Sequence, residues 1–417
     1  MVKVPGMEVW GLILVVMVSV FVGNGEAQTK SLLINCGTNS SVNVDGRRWV
    51  GDLAPDNNLT PSSLGVAAST DTCSGDTTFA QLYETARIFP GSLNYTASLN
   101  QGNYSVRLHF YPFSFEKYNT NESSFSVVAN GLKLASQLNV PGEISHKNSY
   151  FQSSGSNSSS FSMIKEYFLT VDLGLLVIEF APTKGSFGFI NAIEILSVKV
   201  GGTNSVLNLS GWGIEATYRL NVGGPEITSD QDLDLWRTWE VDSSYMFTAN
   251  AGSEVHNSSN ITYASMNDSV VAPLAVYETA RFMSNTEVLE KRFNMSWKFE
   301  VDPDFEYLIR LHFCELFYDR ANQRSFRIYI NNRTAAENFD DFLDMVSSKI
   351  NTLWIQLGPD TTVGASGTDA ILNGLEIFKL SRNGNLAYVE KFDSTKSSAG
   401  SQTSKTQILW VSCTWAV

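Results

Sequence analysis

Arg107 and His109 stand two residues apart in Arg107-Leu108-His109-Phe110, and Arg310 and His312 do the same in Arg310-Leu311-His312-Phe313. A guanidinium and an imidazole on one strand face could hold an anionic ligand. Each pair follows a second shared motif, Tyr83-Glu84-Thr85-Ala86-Arg87 and then Tyr277-Glu278-Thr279-Ala280-Arg281. Glu84 or Glu278 could therefore neutralise the arginine internally. A single ligand site need not be duplicated, so the repetition favours a role in the fold, with Tyr83 and Tyr277 in the core. Catalysis finds no support. The chain has only four histidines, none in a nucleophile–base–acid motif, and GxSxG is absent. Acidic residues are too plentiful for any two carboxylates to stand out as a glycosidase pair. No CxxC or other metal-ligand spacing occurs, so neither a metal nor any other cofactor is expected.

Two stretches suggest binding. Arg281, Arg292 and Lys298 gather positive charge in the second half and would suit an acidic polymer. The acidic stretch containing Asp230, Asp232 and Asp234, and a second over residues 340–344, would suit a basic partner. The overall charge of −13 and pI near 4.8 point the same way and argue against nucleic acid. Aromatic candidates for stacking a sugar are Trp212, Trp236, Trp239, Trp297, Tyr245 and Phe247.

The elements that carry these residues are also repeated. Trp49 and Asp52 have the spacing of Trp239 and Asp242. Phe189-Ile190-Asn191-Ala192-Ile193-Glu194-Ile195 matches Ile371-Leu372-Asn373-Gly374-Leu375-Glu376-Ile377. A duplicated unit of roughly 170 residues has the size of a whole domain. Period-two alternation in 104–110 and 307–313 reads as half-buried strands, and Asn130-Gly131 and Asn331-Asn332 read as hairpin turns. Long amphipathic helices are not expected. The fold class is all-β, with two tandem jelly-roll β-sandwiches at 31–198 and 217–380 and a linker at 199–216.

The N-terminus carries Lys3, an apolar run over 9–22 and Gly25-Glu26-Ala27, so residues 1–27 read as a signal peptide. Asn-x-Ser/Thr occurs at Asn39, Asn58, Asn94, Asn103, Asn121, Asn157, Asn208, Asn257, Asn260, Asn267, Asn294 and Asn332, a density that suggests a glycosylated secreted surface. An oxidising compartment permits a Cys36–Cys73 disulfide, while Cys314 is expected to be a buried thiol. Residues 381–417 read as a polar stalk, with Ile408-Leu409-Trp410-Val411 resembling the start of a membrane helix cut short.

The Asn-Cys-Gly start, the two repeated motifs, Val301-Asp302-Pro303-Asp304-Phe305 and Arg219-Leu220-Asn221-Val222-Gly223-Gly224-Pro225 together resemble the extracellular region of plant malectin-like receptor kinases, the FERONIA, THESEUS and HERCULES group. That resemblance covers residues 31 to about 380. It implies two tandem malectin-like domains that sense ligands outside the cell. The partners it implies are a basic, cysteine-rich RALF-type peptide, a membrane-anchored co-receptor and cell-wall pectin, in wall-integrity and growth signalling. The alternative function is a pectin-binding module without signalling of its own. Kinase motifs do not occur in the sequence, so the expectation is an ectodomain without an enzyme, as a soluble truncated form, a splice product or a truncated gene model.

Overall fold

Alternating apolar residues fold into strands throughout. The computed structural model describes residues 31–63, 65–71, 73, 78–153, 159–198, 213–247, 251–258, 261–263, 268–283, 294–318, 324–336, 345–347, 351–360, 369–388, 404–412 and 414–415. Its largest sheet has twelve strands and runs through both copies of the repeat. In spatial order its central strands are Leu32–Asn35, Ala192–Val198, Gly102–Phe110, Met163–Val171, Ile214–Asn221, Gly374–Leu380 and Glu306–Phe313. A smaller sheet faces each half. One holds Phe125–Ala129, Leu132–Leu138, Leu175–Pro182 and Leu93–Ser98; the other holds Met295–Glu300, Thr352–Pro359, Phe326–Ile330 and Arg333–Ala336.

Each pair of layers encloses its own apolar core. Leu108, Phe110, Phe125, Ile178 and Phe180 meet in the first, and Trp297, Ile309, Leu311, Ile328 and Ile355 in the second. The hairpin turns form as the sequence suggests. Asn130 and Gly131 have φ of 46° and 82°, and Asn331 and Asn332 have 49° and 62°, the left-handed pairing of a two-residue turn. The strands expected to be half-buried are instead buried on both faces. Ser105, Arg107 and His109 are as inaccessible as the leucines beside them.

Three parts of the chain depart from expectation. Residues Val140–Ser153 form a 14-residue helix, capped by the Asn139 side chain on the Gly142 amide at 2.9 Å. Only Val140, Ile144 and Phe151 are buried in it, too sparse a stripe to stand out as amphipathic. Residues 214–216, read as linker, already belong to the strand Ile214–Asn221; 199–212 lie outside the described residues. The segment read as stalk is structured where it is described, at 381–388, 404–412 and 414–415. Leu386 is 0% exposed and sits in the first core, with Lys133 and Leu386 joined backbone to backbone at 2.8 Å. Residues Ser404–Ser412 form a strand parallel to Glu306–Phe313. No helix among the described residues is long and apolar enough to cross a membrane.

Candidate ligand-binding cleft

The two halves share a sheet only briefly. Strands Met163–Val171 and Ile214–Asn221 pair over Glu166–Ala216, Tyr167–Glu215 and Phe168–Ile214 and then part. A bulge at Thr217 turns the second strand away, and it takes up Glu240–Val241 instead. A cavity of about 570 Å³ opens at this fork. The Val140–Ser153 helix crosses it. Ile144 is anchored in the first core, while Phe151, 5% exposed, inserts into the second. Lys147 reaches Glu240 at 2.6 Å, and the Tyr150 hydroxyl donates to the Lys298 carbonyl at 2.6 Å.

From the floor of the cleft, where Arg107, Glu166, Glu194 and Arg219 line it, a row of alternating charges runs from strand to strand. Glu194 takes Arg47 and Arg107 at 2.9 and 3.0 Å; Arg107 also holds Glu166 at 2.9 Å; Arg219 joins Glu166 at 2.7 Å to Glu376 at 2.9 Å; Arg310 closes the row on Glu376 at 2.9 Å. Burial alone would raise the Glu166 carboxyl, but Arg107 and Arg219 override it and hold it at about 2. Glu194 and Glu376 are likewise pushed down from the usual carboxylate range against the effect of burial. Arg107 also donates to the Leu235 and Trp236 carbonyls, so this row ties the halves together.

The expected Arg/His anion site is therefore internally satisfied, though by Glu194 and Glu376 rather than Glu84 and Glu278. Because Glu376 is ionised it can only accept, so His312 Nε2 donates to it at 3.2 Å. Burial keeps the His312 imidazole below its usual value, hence neutral, and Nδ1 accepts from Tyr277 at 3.1 Å. His109, Glu194 and Tyr83 repeat the geometry.

Other predicted site residues separate. Arg281 is 4% exposed and forks onto Asp242 with both contacts at 2.8 Å, so it is unavailable to a polymer. Lys298 is exposed, and Arg292 lies outside the described residues. Asp232 is 1% exposed and holds Arg237 and the Trp239 indole, whereas Asp230 and Asp234 face solvent. The other acidic stretch, 340–344, lies outside the described residues. Trp239, Trp297 and Tyr245 are core residues, Trp212 is not described, Trp236 lines the cleft under the Arg47 guanidinium at 4.5 Å, and Phe247 is exposed.

Cys36 and Cys73 are thiols, not a disulfide. Cys36 lies fully buried in the first core, whereas Cys73 packs in a separate cluster around Trp49 and Tyr83. Cys314, expected as a thiol, is disulfide-bonded. Of the sequon asparagines, Asn39, Asn58, Asn121 and Asn332 are exposed and Asn94, Asn103, Asn257 and Asn294 half-buried; Asn157, Asn208, Asn260 and Asn267 lie outside the described residues. No cluster of metal ligands occurs among the described residues.

What the sequence did not disclose is the cleft itself. Its lining includes seven glutamates, Glu143, Glu166, Glu194, Glu215, Glu226, Glu240 and Glu300, against four lysines and arginines. These come from the helix and from both halves, and no local spacing brings them together. With its charge floor already neutralised, the cleft carries an acidic excess at its rim, suited to cationic side chains.

Comparisons with known proteins agree with this architecture. The profile of the malectin-like domain family matches residues 34–380. A probable receptor-like protein kinase of Arabidopsis thaliana is 57% identical over 416 residues, which cover 94% of this chain and 48% of that protein. The receptor-like protein kinase FERONIA of Arabidopsis thaliana is 31% identical over 398 residues, covering 86% of this chain and 43% of FERONIA. The chain thus spans about half the length of these curated relatives. The crystal structure of the ANX2 ectodomain from Arabidopsis thaliana superposes with a TM-score of 0.73 at 29% identity, covering 86% of this chain and 98% of that one. A crystal structure of the plant peptide RALF23 in complex with FER and LLG2 matches with a TM-score of 0.70 at 30% identity, covering 88% and 99%. A profile match along nearly the whole described chain, over a frame that pairs its duplicated residues with one another, has one meaning: the chain belongs to the malectin-like domain family, with the ectodomains of FERONIA- and ANXUR-type receptor-like kinases as its relatives.

Proposed function

We propose that this chain is the extracellular ligand-sensing part of a plant receptor-like kinase. It binds a basic, cysteine-rich secreted peptide together with a membrane-anchored co-receptor, in cell-wall integrity and growth signalling. Two tandem malectin-like domains, 31–198 and 217–380, build it, and it carries no enzymatic activity of its own. The observation that carries this reading is the likeness to a FER ectodomain solved with a peptide and LLG2. The acidic rim of the cleft supports it independently, because a cationic peptide gains both steering and contact there.

The pectin reading is weaker, because the cationic cluster it relies on loses Arg281 to Asp242. Calorimetric titration of residues 28–417 tests both. Saturable heat with a basic RALF-type peptide plus co-receptor, and none with oligogalacturonide, is the expected result. Heat with the sugar alone would move the chain to the carbohydrate-binding class.

A further inference from the structure

The outer face of the second small sheet carries an aromatic pair that the core does not use. Phe247 is 61% exposed, and its ring meets Trp354 at 5.0 Å between centroids. The Trp354 indole nitrogen is buried and makes no hydrogen bond among the described residues. Strand Met295–Glu300 alternates, with Met295, Trp297 and Phe299 in the core, so Asn294, Ser296 and Lys298 share the outer face. Lys298 stands opposite Trp354 in register, and Phe247 is fixed beside Ser296 by a backbone bond of 2.9 Å. Asn294-Met295-Ser296 is a sequon. The Asn294 side chain lies over Gly358, where a Cβ would come within 2.1 Å of Oδ1. Its amide makes no hydrogen bond among the described residues, unlike Asn103, which accepts from Thr170, and Asn257, which donates to the Leu316 carbonyl.

We propose that Asn294 carries an N-linked glycan whose first N-acetylglucosamine residues lie on the Phe247–Trp354 platform. A pyranose ring offers an apolar C–H face to the aromatic rings and polar groups to Lys298. The glycan comes from a lipid-diphosphate-linked oligosaccharide in the secretory pathway. The Asn294 amide nitrogen bonds to the anomeric carbon as the carbon–oxygen bond to diphosphate breaks. Lipid diphosphate leaves with the electron pair, and the amide loses one proton. The first copy of the repeat supplies an internal comparison. By strand register Val177 stands where Trp354 does and Ser92 where Asn294 does, so the platform is missing from the first copy, whose sequon on this strand, Asn94, stands instead where Ser296 does.

The test uses the secreted full chain. Glycopeptide mass spectrometry reads occupancy at Asn294 and at the exposed Asn39 and Asn332, and endoglycosidase digestion of the native protein reads release at each site. The expected result is an occupied Asn294 released roughly 2- to 10-fold more slowly than the other two, the factor an aromatic contact is worth. Phe247→Ala, a surface truncation, and Trp354→Val, which copies the first half, should both raise the Asn294 rate to that of Asn39. An unoccupied Asn294, equal release at all three sites, or a rate unmoved by either variant overturns the proposal.

Discussion

Asp52 and Asp242 meet the same demand with different donors. Each accepts the amide of a glycine held at positive φ, Gly37 or Gly223, and a forked arginine, Arg87 or Arg281. The last donor is the Tyr95 hydroxyl at 2.8 Å in one copy and the Trp297 indole at 2.9 Å in the other. Asn35 and Asn221 accept from Thr85 and Thr279 in the same way, and Asn191 and Asn373 bridge the same backbone groups. Beyond these bonds the copies drift. Tyr111 stacks on Tyr83 at 5.4 Å where the second copy places Cys314 in a disulfide, and Cys36 occupies the core position of Val222. What was duplicated is a set of buried hydrogen bonds that fix backbone. Among the described residues, the Val140–Ser153 helix and the Phe247–Trp354 face have no counterpart in the other copy. Function is therefore to be sought where the copies differ.

The largest expected effects test the shared part. Glu194→Ala takes one of two carboxylates from Arg47 and from Arg107, which keep Asp45 and Glu166, and removes the partner of His109; Glu376→Ala leaves Arg219 with Glu166 but takes the ion-pair partner of Arg310 and the acceptor of His312. Glu376→Ala should cost about 3–5 kcal/mol, because it leaves the buried Arg310 guanidinium uncompensated, and Glu194→Ala about 1–3 kcal/mol, because it removes buried hydrogen bonds while a second carboxylate stays on each arginine. Denaturant unfolding checks this, and a variant that keeps wild-type stability would break the equivalence of the copies. Next come the two exchanged apolar residues, Phe151 in the second core and Leu386 in the first. Phe151→Ala and Leu386→Ala should each cost about 2–5 kcal/mol. Both should also loosen the coupling of the halves, visible as a broader or split thermal transition; a single sharp transition at the wild-type temperature would show that neither residue couples them.

The repeat made much of this readable beforehand. Strands, turns, core aromatics and the structural role of Arg107 and His109 all follow from period-two alternation and from the same residues appearing twice. Partners across the sheet were not readable. Glu194 lies 87 residues from Arg107, while Glu84 lies nearer in sequence, so the nearer carboxylate was the natural but incorrect assignment. Arg281 and Asp232 failed as surface residues for a related reason. Sequence shows that a residue is charged, not that Asp242 or Arg237 faces it in the core. The helix escaped notice because it buries only three residues in fourteen. The cleft escaped because it exists only where two strands that pair over three residues diverge.

Acid should weaken the interface between the halves. Glu166 has its folded value depressed to about 2 from an ordinary 4.5. Its stabilisation is therefore complete above the unfolded value and lost as pH falls from about 4.5 through about 2, a change on the order of 3 kcal/mol. Glu166→Gln should flatten the stability–pH curve in that window and leave it unchanged near neutrality in shape. A wild-type curve with no slope below pH 4.5 would remove Glu166 from the set of groups that join the halves.

The smallest effects come from one loop whose aspartates divide by burial. Asp232→Asn removes the charge that Arg237 and the Trp239 indole share in the core, and should cost about 1–3 kcal/mol. Asp230→Asn and Asp234→Asn act at exposed positions and should change stability by less than about 0.5 kcal/mol. If this loop steers a basic peptide toward the neighbouring cleft, the exposed pair should instead slow its association a few-fold at low salt, with the difference fading as salt screens it. Stopped-flow association at two ionic strengths separates the cases. A slower rate with Asp232→Asn but not with the exposed pair would mean that loop shape, rather than charge, governs the encounter. That result would return the acidic surface to solubility and leave the cleft rim as the only charged contact to test.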